Sequence, residues 1–145
     1  MSGSAAAKAR LAPSPTPVAA LYWDAARRGA LVLQQCVACR RLTHPPAEWC
    51  AECGSSERVF VPVEGDGAVE TFSVVHRTFA PGFAERVPYV IAWISLDVQA
   101  GLRMFGNVLG TAPDDMHIGL RVEVLFEDIE GYGTVPNFRP VREEC

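Results

Sequence analysis

Four cysteines carry the clearest chemistry in this chain. Cys36 and Cys39 form one C-x-x-C pair and Cys50 and Cys53 a second, with ten residues between the pairs. Two thiolates separated by two residues wrap a tight turn around one cation. Two such knuckles supply four sulfurs in a tetrahedron, which suits Zn²⁺ at about 2.3 Å per bond. Four thiolates leave no open coordination position, so the spacing predicts a structural site. A ribbon of this kind is expected to hold one zinc through Cys36, Cys39, Cys50 and Cys53; an iron site of the same geometry and a redox disulfide are the weaker readings. Gly54, just after the second pair, suits the positive φ that such a turn needs. His44 lies between the knuckles and reads as a loop histidine beside Pro45 and Pro46, because the cysteines already fill the shell.

Catalytic constellations are otherwise sparse. There is no G-x-S-x-G elbow, no dinucleotide fingerprint and no phosphate-binding loop. The histidines are His44, His76 and His117. His76 reads as a strand residue with a structural role. Cys145 is the chain end, a poor position for a preorganised nucleophile, and reads as an idle thiol. Asp114 and Asp115 read as solvated caps of a short helical turn. These residues point to a binding module rather than a complete enzyme.

The elements that must position the cysteines are legible on either side. Residues 1–15 are small, polar and proline-containing, and are expected to form a tail. Residues 16–35 are expected to be a helical segment: Thr16 as N-cap, Pro17 in the first turn, an apolar stripe of Val18, Leu21, Tyr22 and Ala25, and Gly29 as the stop. The ribbon is assigned to residues 36–58. From residue 59 to 145 the pattern is β. The sequence Gly65-Asp66-Gly67 reads as a turn. Strands are expected over 69–79, over 89–97 with both faces covered, over 102–109 after a hairpin turn at Ala100-Gly101, and over the alternating stretch that includes Val122, Val124 and Phe126. A last short strand contains Pro136 and should be an edge. Five strands in about 80 residues, one of them long, fit a small closed barrel of the OB-fold type. The expected class is therefore mostly β: an N-terminal helix, a zinc ribbon and a five-stranded OB barrel.

Composition narrows the function classes. The chain has 145 residues, 49% hydrophobic and 21% charged, with a net charge of −4. Residues 1–67 balance to +1 and residues 68–145 to −5. An acidic chain without a basic block is a poor nucleic-acid binder, because phosphate neutralisation needs clustered positive charge. A zinc-ribbon/OB module for single-stranded nucleic acid is kept as the alternative reading, and a stand-alone hydrolase or transferase as a third. No apolar run approaches the ~18 residues of a membrane span, and Lys8 and Arg10 interrupt any N-terminal export segment. A cytoplasmic setting, with reduced cysteines, is expected.

The order of motifs carries a family resemblance. A helix with Trp23 and Gly29 leads to LVLQQCVAC and then THPPAEWCAECG. VETFSVVHRTFAPGFAERVPYVIAWISLD, GLRMFGNVLG, IGLRVEVLFED and VPNFRPV follow. Over about residues 18–141 this resembles the acyl-CoA-associated family with an N-terminal helical hairpin, a rubredoxin-like zinc ribbon and a C-terminal OB-fold. The resemblance implies an accessory subunit of a thiolase-like or lipid-transfer-protein-like catalytic subunit. That complex would perform C–C cleavage or acyl transfer on coenzyme A thioesters, as degradative thiolases and retro-aldolases do. It implies a hetero-oligomer that binds acyl-CoA, with the catalytic residues in the partner. A polyanion with an aromatic base wants arginines and an aromatic platform. Arg77, Phe79, Phe83, Arg86 and Arg103 are the candidate coenzyme A contacts on that basis, and Trp93 or Tyr89 the candidate interface anchor.

Overall fold

The computed structural model describes residues 16–130 and 133–142. The expected tail at 1–15 and the thiol of Cys145 lie outside the described residues.

The chain opens with a 3₁₀ turn, Pro17–Ala19, that runs into helix α1, Ala20–Arg27. The helix ends as its residues dictate. Gly29 has φ +73°. Its N–H bonds the Ala26 carbonyl at 2.9 Å, and the Ala30 N–H bonds the Ala25 carbonyl at 3.0 Å. That is a Schellman ending, which a left-handed glycine makes accessible. The buried face differs from the expected stripe. Tyr22, Ala25 and Ala26 are buried, whereas Leu21 is 61% exposed. The tighter 3₁₀ turn shifts the phase of the residues that enter the helix, and the two alanines let α1 lie close on the barrel. Among the described residues α1 is a single helix, not the hairpin that the resemblance implies.

The ribbon is a three-stranded antiparallel sheet in the order β2-β1-β3, with β1 Val32–Cys36, β2 Leu42–Thr43 and β3 Arg58–Pro62. Its sheet therefore uses residues on both sides of the 36–58 segment. The barrel follows: β4 Gly67–Val75, β5 Tyr89–Leu96, β6 Arg103–Asn107, β7 Arg121–Ile129 and β8 Gly133–Pro140, in the order β6-β5-β4-β7-β8. β4 pairs with β5 along its length and with β7 through Gly67 and Ala68, and its register shifts between Val69 and Thr71. A bulge there bends the strand so that it serves both halves of the barrel. A Cβ on Gly67 would run into the Ser95 carbonyl and the Ile94 side chain. This glycine is a point of close strand approach, not only part of a turn.

The outer strands meet. Val108 bridges Phe138 in parallel, and the Leu109 N–H bonds the Phe138 carbonyl at 2.8 Å. Asn137, a buried polar residue, accepts the Asn107 N–H at 3.0 Å through Oδ1. The strand with Pro136 ends the ladder order, as an edge should, but it is eight residues long. The first barrel strand stops at Val75, opposite Tyr89, four residues short of the expected end. Pro88 has no N–H with which to continue the ladder. His76 is thereby placed in an exposed bend after β4, not in the strand.

One apolar cluster joins all three parts. Tyr22 of α1 and Leu33 and Leu42 of the ribbon belong to the same core as Val69, Ile94, Met104, Val122 and Phe138 of the barrel. Leu33, Ile94, Val122 and Phe138 are completely buried. Ribbon and helix are too small to hold a core alone, so they borrow the barrel's.

Candidate functional site

Two loops of matching design build the cysteine cluster. In the first, the Arg40 N–H bonds the Cys36 carbonyl at 2.8 Å; in the second, the Gly54 N–H bonds the Cys50 carbonyl at 2.9 Å. Arg40 has φ +63° and Gly54 φ +77°. The positive φ at Gly54 was legible, since glycine adopts it freely. The same conformation at Arg40 was not, because an arginine gives no sign of it. All four sulfurs lie within 4.8 Å of one another. Cys36 Sγ is 3.5 Å from Cys53 Sγ, and Cys39 Sγ is 3.6 Å from Cys50 Sγ. A tetrahedron with bonds of about 2.3 Å has edges of about 3.8 Å, so the donor set fits zinc. None of the four is joined in a disulfide.

Backbone N–H groups prepare two of these sulfurs for a cation. The Cys39 N–H holds the Cys36 thiol down at about 6, against the opposing effect of burial. The N–H groups of Cys53 and Glu52 lower Cys50 in the same way. Cys39 is pushed up to about 11: the Arg41 N–H pulls it down, but burial and the neighbouring sulfurs outweigh that. Cys53 also rises, because the nearby Cys36 sulfur and burial outweigh the Ser55 N–H. Four ionised sulfurs at these distances repel one another, and a divalent cation at the centre relieves the repulsion.

A cleft of about 540 Å³ separates the ribbon from the barrel. Arg41, His44 and Glu52 line its ribbon side and Trp93, Arg103 and Phe105 its barrel side. Trp93 and Phe105 are cross-strand neighbours on β5 and β6, with ring centroids 5.2 Å apart, and remain 42% and 52% exposed. The Arg103 guanidinium lies over the Trp93 ring at 5.5 Å and pairs with Glu70 at 3.3 Å. Within this chain β5 is covered on its core face, and Trp93 on the other face is left exposed. Val90, Ala92, Ile94 and Leu96 face the core; on the opposite face Tyr89, Ile91 and Ser95 are half-buried and Trp93 borders the cleft. His44 sits against the Tyr22 ring at 5.2 Å, and its Nδ1 is buried without a hydrogen-bond partner. Burial lowers its pKa to about 4, so the ring is neutral near pH 7. Arg41 and His44 are among the cleft residues that sequence reasoning missed. Both sit in the loop between the cysteine pairs, where no periodicity shows which way a side chain faces.

The five candidate coenzyme A contacts do not form one cluster. Arg103 opens β6 opposite Ser95, near the ribbon. Arg77, Phe79, Phe83 and Arg86 lie in the 76–88 loop, at the end of β5 marked by Tyr89. Six residues of strand, about 20 Å, separate Ser95 from Tyr89. Within the loop Phe79 is fully exposed. The Phe83 ring packs on Tyr89 at 5.3 Å, and Arg86 pairs with Glu127 at 3.1 Å. Tyr89 is thus half-buried against its own loop, while Trp93 is presented to solvent.

Comparison with known proteins fits both halves of this architecture. Residues 23–57 match the ChsH2 rubredoxin-like zinc ribbon domain, and residues 60–127 match the ChsH2 C-terminal OB-fold domain. A DUF35 domain-containing scaffold protein of Methanocaldococcus jannaschii is 36% identical over 108 residues, covering 73% of this chain and 74% of that protein. The chain belongs to the ChsH2/DUF35 family. A solved structure described as the Ltp2-ChsH2(DUF35) aldolase superposes with a TM-score of 0.79 at 35% identity, over 88% of this chain and 98% of that one. A probable enoyl-CoA hydratase alpha subunit of Thermomonospora curvata is 37% identical over 121 residues, 83% of this chain. The chain spans only 37% of that relative's length. The ribbon and barrel of the ChsH2 family are thus found in chains of very different size.

Proposed function

We propose that this chain is a non-catalytic accessory subunit that binds acyl-CoA beside a catalytic subunit acting on coenzyme A thioesters, of the thiolase-like or lipid-transfer-protein-like retro-aldolase type. Four thiolates closed around zinc would tie the two knuckles of the ribbon together and take no part in chemistry. The work of the chain would then lie in the cleft that this arrangement creates.

The observation that carries the reading is the barrel wall of the cleft. Trp93 and Phe105 offer an open aromatic platform with the Arg103 guanidinium stacked on it, and Arg41 faces them from the ribbon. Coenzyme A combines a planar base, phosphates and an apolar arm, and arginine and aromatic surfaces suit those parts. The relatives named as an aldolase component and as a hydratase alpha subunit also support a role beside a catalytic chain. A four-thiolate metal site would suit a cytoplasmic setting for such a subunit. No helix among the described residues is long and apolar enough to cross a membrane.

The test is purification from the native host under mild conditions, followed by titration of the complex with coenzyme A. A catalytic chain that co-purifies, and coenzyme A binding that quenches tryptophan emission in the wild type but not in Trp93→Phe, are the expected results. A clean monomer with no coenzyme A affinity, alone or mixed with the neighbouring gene products, would overturn the reading.

A further inference from the structure

A second groove, of about 470 Å³, lies where the turn leading into α1 meets β3. Arg58 lines it together with Val18, Leu21, Glu48, Val59 and Phe60. In the β1–β3 ladder Arg58 stands opposite Cys36 and Phe60 opposite Gln34. Alternation puts Gln34, Cys36, Arg58 and Phe60 on one face of the sheet.

The state of Arg58 is unusual. Its Nε, Nη1 and Nη2 are all buried, and none has a hydrogen-bond partner. A guanidinium keeps its charge at every physiological pH and presents five donors in a fixed fork. Burying that group without an anion is costly. No polar side chain among the described residues bonds the guanidinium, and the Cys36 sulfur opposite is committed to the cysteine cluster. Gln34 Oε1 accepts the Ala47 N–H at 2.8 Å. Glu48 is exposed, and its carboxylate does not meet the guanidinium. Around this cationic floor the rim is apolar and open, with Leu21 and Val59 both exposed.

We propose that this groove is a carboxylate-binding site whose occupant is an acidic residue flanked by apolar side chains on a segment of the partner subunit. A planar fork matches a carboxylate with two parallel N–H···O bonds. The apolar rim fits aliphatic neighbours on a peptide better than it fits a free, fully hydrated phosphate. The inference rests on the accessory-subunit reading for the identity of the occupant, and not on coenzyme A binding in the cleft, which lies elsewhere on the molecule.

The experiment uses the zinc-loaded full chain and follows the Arg58 Nε–H resonance by NMR. The probes are sodium acetate, inorganic phosphate and two capped peptides, Leu-Glu-Leu and Leu-Gln-Leu. Acetate should shift the resonance saturably. The glutamate peptide should bind at least about tenfold more tightly than the glutamine peptide, the size expected of a charge-assisted pair. Arg58→Gln should abolish that preference with zinc content unchanged, and Glu48→Gln should preserve it. No shift with any probe, or equal affinity for the two peptides, would overturn the site. So would a shift on Glu48→Gln alone with no response to acetate, since Glu48 would then supply the counter-charge. Phosphate binding more tightly than the glutamate peptide would overturn the peptide as occupant. Failure of coenzyme A to bind the cleft changes none of these outcomes, so the two readings fail separately.

Discussion

The side-chain amide of Gln99 pairs with the main chain of Leu42 as a neighbouring strand would. Its Oε1 accepts the Leu42 N–H at 2.8 Å, and its Nε2 donates to the Leu42 carbonyl at 3.0 Å. Leu42 belongs to the ribbon and Gln99 to the β5–β6 turn of the barrel, 57 residues apart. One side chain thus clamps the two parts at the edge of the cleft. Gln99→Ala leaves a backbone donor and acceptor of a buried residue without partners. The expected loss is about 1–3 kcal/mol of stability, with faster hydrogen exchange at the Leu42 amide than at the core of β5. Denaturant unfolding and exchange by NMR check both; unchanged Leu42 protection would show that the clamp is dispensable.

Metal removal should act on the ribbon first. The purified chain should carry one zinc, and Cys36→Ser or Cys50→Ser should release it and melt the ribbon, because metal binding and folding are one free energy here. Cys36 and Cys50 are the buried pair and Cys39 and Cys53 the exposed pair, so serine at the buried positions should be the more damaging. Metal analysis and near-ultraviolet circular dichroism read the result. Stoichiometric zinc retained by Cys36→Ser would count against the assignment.

His44 gives stability a pH dependence with a definite sign. Its pKa falls from 6.5 to about 4 in the folded chain because burial disfavours the charged ring. The unfolded chain therefore binds more protons between those values, and stability falls as pH drops through that window. Fully expressed, the loss is about 3 kcal/mol. Above pH 7 the group contributes no slope. His44→Phe should flatten the part of the difference in unfolding free energy between pH 7 and pH 5 that remains at a fixed zinc content. An identical slope in wild type and variant would mean that His44 is solvated in the native state.

Much of this architecture was legible because local chemistry and global fold agree. The cysteine spacing specifies the knuckles, Gly29 specifies the helix end, and Pro136 on an outer strand follows from its missing N–H. What was not legible depends on contacts between distant segments. The periodicity of α1 could not show that Leu21 turns outward, since that follows from the 3₁₀ turn before it and from the alanines packed on β8. Nor could the apolar run in β5 show that Trp93 is left open, because whether a face is covered depends on where the ribbon docks. Arg103 and Arg86 both looked like ligands for phosphate in sequence, and only the β5 register separates them.

That separation yields the last prediction. If coenzyme A occupies the cleft, the two arginines should respond differently to charge reversal. Arg103 stacks on Trp93 and lines the cleft, and its side chain is half exposed. Arg103→Glu removes a cation from the aromatic platform and puts a carboxylate where phosphates would lie, beside Glu70. Coenzyme A affinity of the assembled complex should fall about tenfold or more, the value of one charge-assisted contact. Arg86 is tied to Glu127 at the far end of β5. Arg86→Glu opposes two carboxylates there, so the 76–88 loop should loosen while affinity in the cleft stays within about twofold. Calorimetric titration of the two variants decides it. A larger loss with Arg86→Glu would move the ligand to the loop around Phe79 and Phe83, leaving the cleft as a joint between ribbon and barrel.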